Sequence, residues 1–335
     1  MRKLLFFALA LPVVFGCASG AAQARQTGTT LNLVAYSTPK AVMGKLITRF
    51  QHQPAGQGVS FSQSYGPSGS QAKQIVAGQP ADIAFLSTGL DIDTVADAGL
   101  VSKSWTKTPY GGIAADSVVA YVVRPGNPKH IHSWKDLAKP GVQVVTPDPF
   151  PSGSAKWNVL AAYGAMRKSG MNNQKAIQFV TKLFKNVVSQ PSSGSNAANA
   201  FFSGQGDVLI TYESEAYAAF AAGKQGKLVV PKPTMLIQLP MVATKSAPSA
   251  AQAFIKYAHA PKQQRIFAEN GYRPVAKSVL KSPALAAWRK KYNTGPTFNI
   301  SDKLFGGWRK ADKVWFDLDN GRMVKIEQAV GGPTH

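Results

Sequence analysis

A chain of 335 residues with 44% hydrophobic and 16% charged side chains is long enough to bury a large core and too apolar to be disordered. Its 38 Lys and Arg against 16 Asp and Glu leave a formal charge of +22, which points to an anionic partner: nucleic acid, a membrane surface or a small anion. The basic residues are scattered, WRKKY at 288–292 being the densest cluster, and no nucleic-acid-binding module accompanies them. A solvated basic surface accounts for most of this charge.

The chain opens on a basic start (Arg2, Lys3), an apolar run over 4–15 and the small residues AQA at 22–24. This pattern predicts a secretory signal over 1–24, cleaved after Ala24, because the apolar run is too short for the about 20 residues a membrane span requires. VFGC ending at Cys17 offers the competing reading of a lipoprotein anchored through that cysteine; bulky Phe15 argues against it, and the soluble periplasmic form is favoured. The mature chain then has no cysteine, which excludes disulfides, thiolate metal sites and Cys nucleophiles.

Beyond a polar linker, LNLVAY (31–36) reads as a strand, and PKAVMGKLITRFQ has helical spacing through Val42, Leu46 and Phe50. GVSFSQSY alternates as a strand, SGSQAKQIVAG is a short helix stopped at Gly78, and ADIAFLS is a buried strand. SVVAYVV and VQVVT are strands, the second feeding a helix after Ser154. NAANAFFSG is a helix, DVLITY, KLVVP and MLIQLPMVAT are strands, and the chain from AQAFIKYAHA onward is mainly helical. Strands alternating with helices predict an α/β fold with a mostly parallel sheet, two lobes and ligands at the carboxyl ends of strands. SVVAYVV and MLIQLPMVAT are placed to cross between the lobes. This predicts a discontinuous lobe 1 (30–118 and 240–335) and a contiguous lobe 2 (119–239).

Small polar residues recur where strands hand over to helices: AYSTPKA with Ser37, YGPSGSQAKQ with Ser68-Gly69-Ser70, DPFPSGSAKWN with Ser152-Gly153-Ser154, and PSSGSNAANAFF with Ser192-Ser193-Gly194-Ser195. Ser is a preferred N-cap, so each junction alone is explained by capping. A helix N-terminus also presents unpaired N–H groups and a partial positive charge, and Gly admits a ligand close to the backbone. Four such junctions in one chain favour an anion site built without charged side chains.

SYGPSGSQAKQ, VVRPGNPKHIHSWKDLAKPGVQVVTPDP, SGSAKWNVLAAYGA, LFKNV, GQGDVLITYESEA, NGYRPV and FGGWRKA together resemble the periplasmic sulfate-binding proteins, the solute receptors of sulfate/thiosulfate ABC importers. The resemblance implies a hinged, two-lobed binding-protein fold that closes over a dehydrated tetrahedral anion, has no catalytic residue, metal or cofactor, works as a monomer and delivers its ligand to a membrane permease. It places the loop after the first strand at Ser37, where the family has Asp, and the hydroxyl donor of the second turn at Ser68. The Ser-Gly-Gly triplet falls at Ser152, Gly153 and Ser154, and a backbone donor falls at Ser193. Tyr212 stands where the family has a Trp indole donor, so a phenolic O–H must replace an N–H. Sulfate carries no proton near neutral pH and suits a cavity of donors only, whereas phosphate wants an acceptor. Asp148 is the nearest acid in sequence and is expected to brace its own turn. Phosphate or molybdate remain alternative ligands.

Other classes have weaker support. A secreted hydrolase would need more than GPSGS, which lacks the second Gly of a nucleophile elbow, and none of His52, His130, His132, His259 and His335 lies beside an acid motif suited to a general base. His130 and His132 lack a third metal ligand. A polyanion binder rests on charge alone.

Overall fold

The computed structural model describes residues 28–283 and 295–333. The segment through Ala24, Cys17 and the WRKKY cluster lie outside the described residues. Three strands, β1 (Thr29–Tyr36), β2 (Val59–Gly66) and β3 (Ile83–Phe85), run parallel with β1 in the middle. A second parallel set consists of β5 (Val144–Val145), β6 (Val187–Ser189) and β7 (Val208–Tyr212), with β5 in the middle. Two long strands, β4 (Ile113–Val123) and β9 (Thr234–Ala243), join the sets. They pair antiparallel with each other; β9 then pairs with β3 through 241–243, and β4 with β7 through 119–123. Short β8 (Lys227–Val229) and β10 (Thr297–Phe298) sit beside β4 and β9.

The sheet is therefore more mixed than alternation alone predicts. The chain crosses outward on β4 and back on β9, so these two strands must run in opposite senses.

Within each parallel set the carboxyl ends feed helices. β1, β2 and β3 lead to α1 (Lys40–Gln51), α2 (Ser68–Val76) and α3 (Gly89–Asp97); β5, β6 and β7 lead to α4 (Gly153–Lys168), α6 (Gly194–Phe202) and α7 (Glu213–Ala221). Ordinary amphipathic spacing explains α1, which buries Val42, Met43, Leu46, Ile47 and Phe50. It also explains α5 (Asn173–Lys185), capped by Asn172 and burying Phe179, Val180, Leu183 and Phe184. In contrast α4 buries thirteen of its sixteen residues, so it is packed on all sides rather than along one stripe.

The C-terminal segment supplies one of those sides. Trp315, from the helix Trp308–Trp315, packs its ring 4.7 Å from that of Tyr163, and the Lys156 ammonium lies 2.7 Å from Asp312. The Lys168 ammonium lies 2.6 Å from Asp302, and the helix Arg322–Val330 packs on α5. The sequence pattern assigns all of 240–335 to the first lobe; residues 297–330 pack on α4 and α5 and also reach α3, where Arg309 meets Asp97 at 2.8 Å. Phe298 and Phe305 stack over Gly164 so closely that a Cβ there would stand 2.3 Å from Phe298 Cε2 and 2.9 Å from Phe305 Cζ.

Gly164→Ala is expected to destabilise the protein by about 1–3 kcal/mol, because two mutually stacked rings leave the added methyl nowhere to go. Urea unfolding monitored by circular dichroism measures the loss.

Candidate anion-binding cleft

The strand–helix handovers of the two parallel sets face one another. On the first side the helix start of α2 is tied to the loop after β3. Buried Ser68 donates its hydroxyl to Asp91 Oδ2 at 2.6 Å and accepts the Ser87 N–H at 2.8 Å. The hydroxyl expected to meet a ligand thus fastens α2 to the β3–α3 turn, and what α2 offers the cleft is its backbone. Burial raises the Asp91 carboxyl above its ordinary range, opposed by Lys156 and by the hydrogen bonds of Ser68 and Thr88.

On the second side Ser152 caps α4, its Oγ accepting the Ala155 N–H at 3.5 Å and sharing a 2.9 Å hydrogen bond with Ser154 Oγ. Capping of this kind leaves the N–H groups of Gly153 and Ser154, the first two helical residues, without intrahelical acceptors. Asp148 sits below this turn as expected: its Oδ1 accepts the Phe150 N–H at 2.9 Å and its carbonyl accepts the Ser152 N–H at 3.2 Å. Ser193 caps α6 in the same manner, accepting the Asn196 N–H at 3.2 Å. Beside α2 and α4 a cavity of about 380 Å³ is lined by Gly69, Ser70, Asp91, Phe150, Lys156 and Asp312, among others.

The two sides touch through specific contacts. Ser195 N–H donates to Ser37 Oγ at 3.3 Å, and Ser195 Oγ donates to the Ser37 carbonyl at 2.9 Å. Gly69 N–H donates to the Pro151 carbonyl at 3.1 Å. Tyr212, fully buried at the end of β7, places its hydroxyl 2.7 Å from Ser87 Oγ, and the Trp157 indole N–H donates to the Ser87 carbonyl at 2.8 Å. Burial holds the Tyr212 phenol well above its ordinary range, so it stays protonated. A Cβ on Gly153 would stand 2.8 Å from Ser87 Oγ and 3.0 Å from Thr88 Cγ2, so only glycine lets α4 approach the β3–α3 loop this closely.

All seven sequence-predicted positions, Ser37, Ser68, Ser152, Gly153, Ser154, Ser193 and Tyr212, border this meeting place. Sequence reasoning missed a fifth junction of the same composition, Ser87-Thr88-Gly89, because the strand AFL runs into it without a break. It also missed Trp157 and Glu215. Ser154 Oγ, Glu215 Oε2 and Thr38 Cγ2 lie 2.9, 3.3 and 3.5 Å from the point where a Cβ on Gly194 would stand, which puts a buried carboxyl between the starts of α4 and α6. The TYESEA stretch held that residue, but nothing in its spacing reveals which way it faces.

His130 and His132 are exposed, and no group of three or more potential metal ligands exists among the described residues. His259 Nε2 donates to the Ile113 carbonyl, 3.1 Å away.

Comparison with known proteins places these features in context. Residues 31–273 match the family model of bacterial extracellular solute-binding proteins. The chain is 36% identical over 312 residues to the sulfate-binding protein of Synechococcus elongatus, covering 90% of this chain and 87% of that one. It is 35% identical over 282 residues to the thiosulfate-binding protein of Pseudomonas aeruginosa, covering 81% and 83%. Among solved structures, the sulfate-binding protein SubI from Mycobacterium tuberculosis superposes with a TM-score of 0.80 at 39% identity, covering 86% of this chain and all of that one.

Gly153→Ala is expected to hold the two strand sets apart. Small-angle X-ray scattering should give a larger radius of gyration than wild type, with secondary structure by circular dichroism unchanged.

Proposed function

The chain belongs to the sulfate- and thiosulfate-binding family of bacterial extracellular solute-binding proteins, and from this premise we propose that it captures sulfate or thiosulfate outside the cytoplasm for an ABC importer. It is a binding protein rather than an enzyme. The observation that carries the reading is the convergence of three helix starts, α2, α4 and α6, with the hydroxyls of Ser37, Ser87, Ser154 and Tyr212 on one cleft. Backbone N–H groups and neutral hydroxyls are the donors a proton-free tetrahedral anion needs, and helix ends add partial positive charge without a counterion.

In this reading Gly153, Ser154 and Ser193 act through backbone N–H groups, and Ser152 and Tyr212 through hydroxyls. Ser37 contributes from the facing loop. Ser68 holds α2 in place and contributes through its backbone. The first lobe comprises residues 30–118 with 240–283, the second 119–239 with 297–330 packed on it, and β4 and β9 form the hinge. The protein works as a monomer in the periplasm, freed of its first 24 residues, and presents its closed form to a membrane permease.

Titration calorimetry of anion-stripped protein against sulfate, thiosulfate, molybdate and phosphate tests this. Sulfate or thiosulfate is expected to bind tightest, and phosphate binding equally well would overturn the specificity. Raising NaCl from 50 to 200 mM should change sulfate affinity little, whereas a polyanion binder making six to ten phosphate contacts loses about 10³–10⁵ over that range.

Ser152→Ala is expected to weaken sulfate binding about tenfold or more, the worth of one hydrogen bond to a charged group. The same titration measures it, and an unchanged affinity would remove Ser152 from the site.

A further inference from the structure

FGGWRKA contributes none of the donors that border the cleft, yet its Trp308 and Arg309 open the helix Trp308–Trp315. The segment that carries this helix is anchored to the second lobe. Phe298 and Phe305 cover Gly164, Trp315 packs on Tyr163, and Asp302 and Asp312 pair with Lys168 and Lys156. All four partners belong to α4, and the helix Arg322–Val330 adds its packing on α5.

The start of the same helix reaches the first lobe. Arg309 donates through Nη1 and Nη2 to the two carboxylate oxygens of Asp97, at 2.8 and 3.0 Å, and its Nε lies 3.6 Å from Asp93 Oδ2. Asp93 and Asp97 are one turn apart on α3, so a single guanidinium meets both. Asp93 is held in turn by the Trp105 indole N–H at 2.9 Å.

Trp308 crosses the same boundary. Its ring stands edge-on to that of Trp157 on α4, with centroids 4.5 Å apart. Its Cδ1 lies 3.2 Å from the point where a Cβ on Gly89, the first residue of α3, would stand. Trp157 is the indole that donates to the Ser87 carbonyl, and Ser87 Oγ shares a hydrogen bond with the Tyr212 hydroxyl. Trp308 therefore backs the contact through which α4 meets the β3–α3 turn.

A helix anchored on one lobe and gripping the other keeps both sets of contacts only while the lobes are together. Opening about β4 and β9 carries it away with α4 and parts Arg309 from Asp93 and Asp97. We propose that Trp308 and Arg309 are positioning residues that latch the closed cleft and slow release of the bound anion without touching it. This rests on the sulfate reading above.

The chemistry fixes the kind of effect. The Arg309 pairs are exposed, so their contribution is modest and falls as salt screens them. Two parallel N–H donors on one carboxylate hold a defined geometry, which a point charge does not. Contacts that form only once the lobes meet act on dissociation rather than on capture.

Stopped-flow tryptophan fluorescence, with the observed rate followed against sodium sulfate concentration, gives kon from the slope and koff from the intercept. At about 20 mM NaCl, koff is expected to rise about threefold to fivefold in Arg309→Gln and in Asp97→Asn, with kon within about twofold of wild type. The double variant should match Arg309→Gln, because both substitutions break one contact. At about 500 mM NaCl the wild-type koff should approach that of Arg309→Gln, whose own koff hardly moves. Trp308→Leu is expected to raise koff about fivefold to tenfold at either salt concentration. An Arg309→Gln koff equal to wild type at low salt, a fall in kon with koff unchanged, or a lower Tm with koff unchanged would overturn the latch and leave the sulfate site standing. A wild type that binds neither sulfate nor thiosulfate would overturn both.

Discussion

Helices α2, α4 and α6 begin inside the protein, and a helix that starts away from water leaves N–H groups that must find acceptors elsewhere. Much of the cleft can be read as an answer to that constraint. Some donors are satisfied within the fold: Asn196 by Ser193, Ala155 by Ser152, Gly69 by Pro151 and Ser195 by Ser37. The first N–H groups of α4 are left facing the space between the strand sets. An oxyanion placed there would complete an unfinished hydrogen-bond ledger, which is why neutral residues would suffice. The same constraint explains Gly153. Any side chain there would push α4 away from Ser87 and leave the same donors facing a gap that water could enter.

The sequence disclosed this cleft unevenly, and distance along the chain is the reason. A Ser or Ser-Gly step before a helix is local chemistry, so Ser37, Ser68, Ser152 and Ser193 were readable as helix starts and their clustering as a ligand signal. What each hydroxyl does was not readable, because its partner is far away in sequence. Ser68 turns to Asp91, 23 residues on, and Tyr212 meets Ser87, 125 residues back. The alternation of strands and helices revealed the two parallel sets, while the packing of 297–330 against α4 was hidden. Nothing local distinguishes Phe298 covering Gly164 from Phe298 covering another helix.

Charge is distributed in a way that the total of +22 conceals. Among the described residues the buried charged side chains are all acidic, and every Lys and Arg retains some contact with solvent. Positive charge therefore belongs to the surface, where it raises the local concentration of anions within about 8 Å at physiological ionic strength and is screened beyond. The basic exterior and the neutral hydroxyls and N–H groups at the helix starts are thus separate features, and the first attracts anions without discriminating among them.

Closure has a comparable economy. Apart from the ion pairs of Arg273 with Glu213 and of Arg309 with Asp93 and Asp97, the hydrogen bonds spanning the two strand sets at the cleft include the Ser195–Ser37 pair, Gly69 to Pro151, Ser87 to Tyr212 and Trp157 to Ser87. At a net about 0.5–1.5 kcal/mol each, they amount to a few kcal/mol, comparable to the cost of ordering the loops that carry them. Hydrogen bonds of that number bring the closed form within reach without locking it. A ligand that binds the closed form better by a few kcal/mol then decides the equilibrium, since a ligand shifts two states only by its difference in affinity between them. Two of the spanning contacts use Tyr212 and Ser37, groups proposed above to meet the anion, so in that reading occupancy and closure cannot be separated, and a substitution that loosens one must loosen the other.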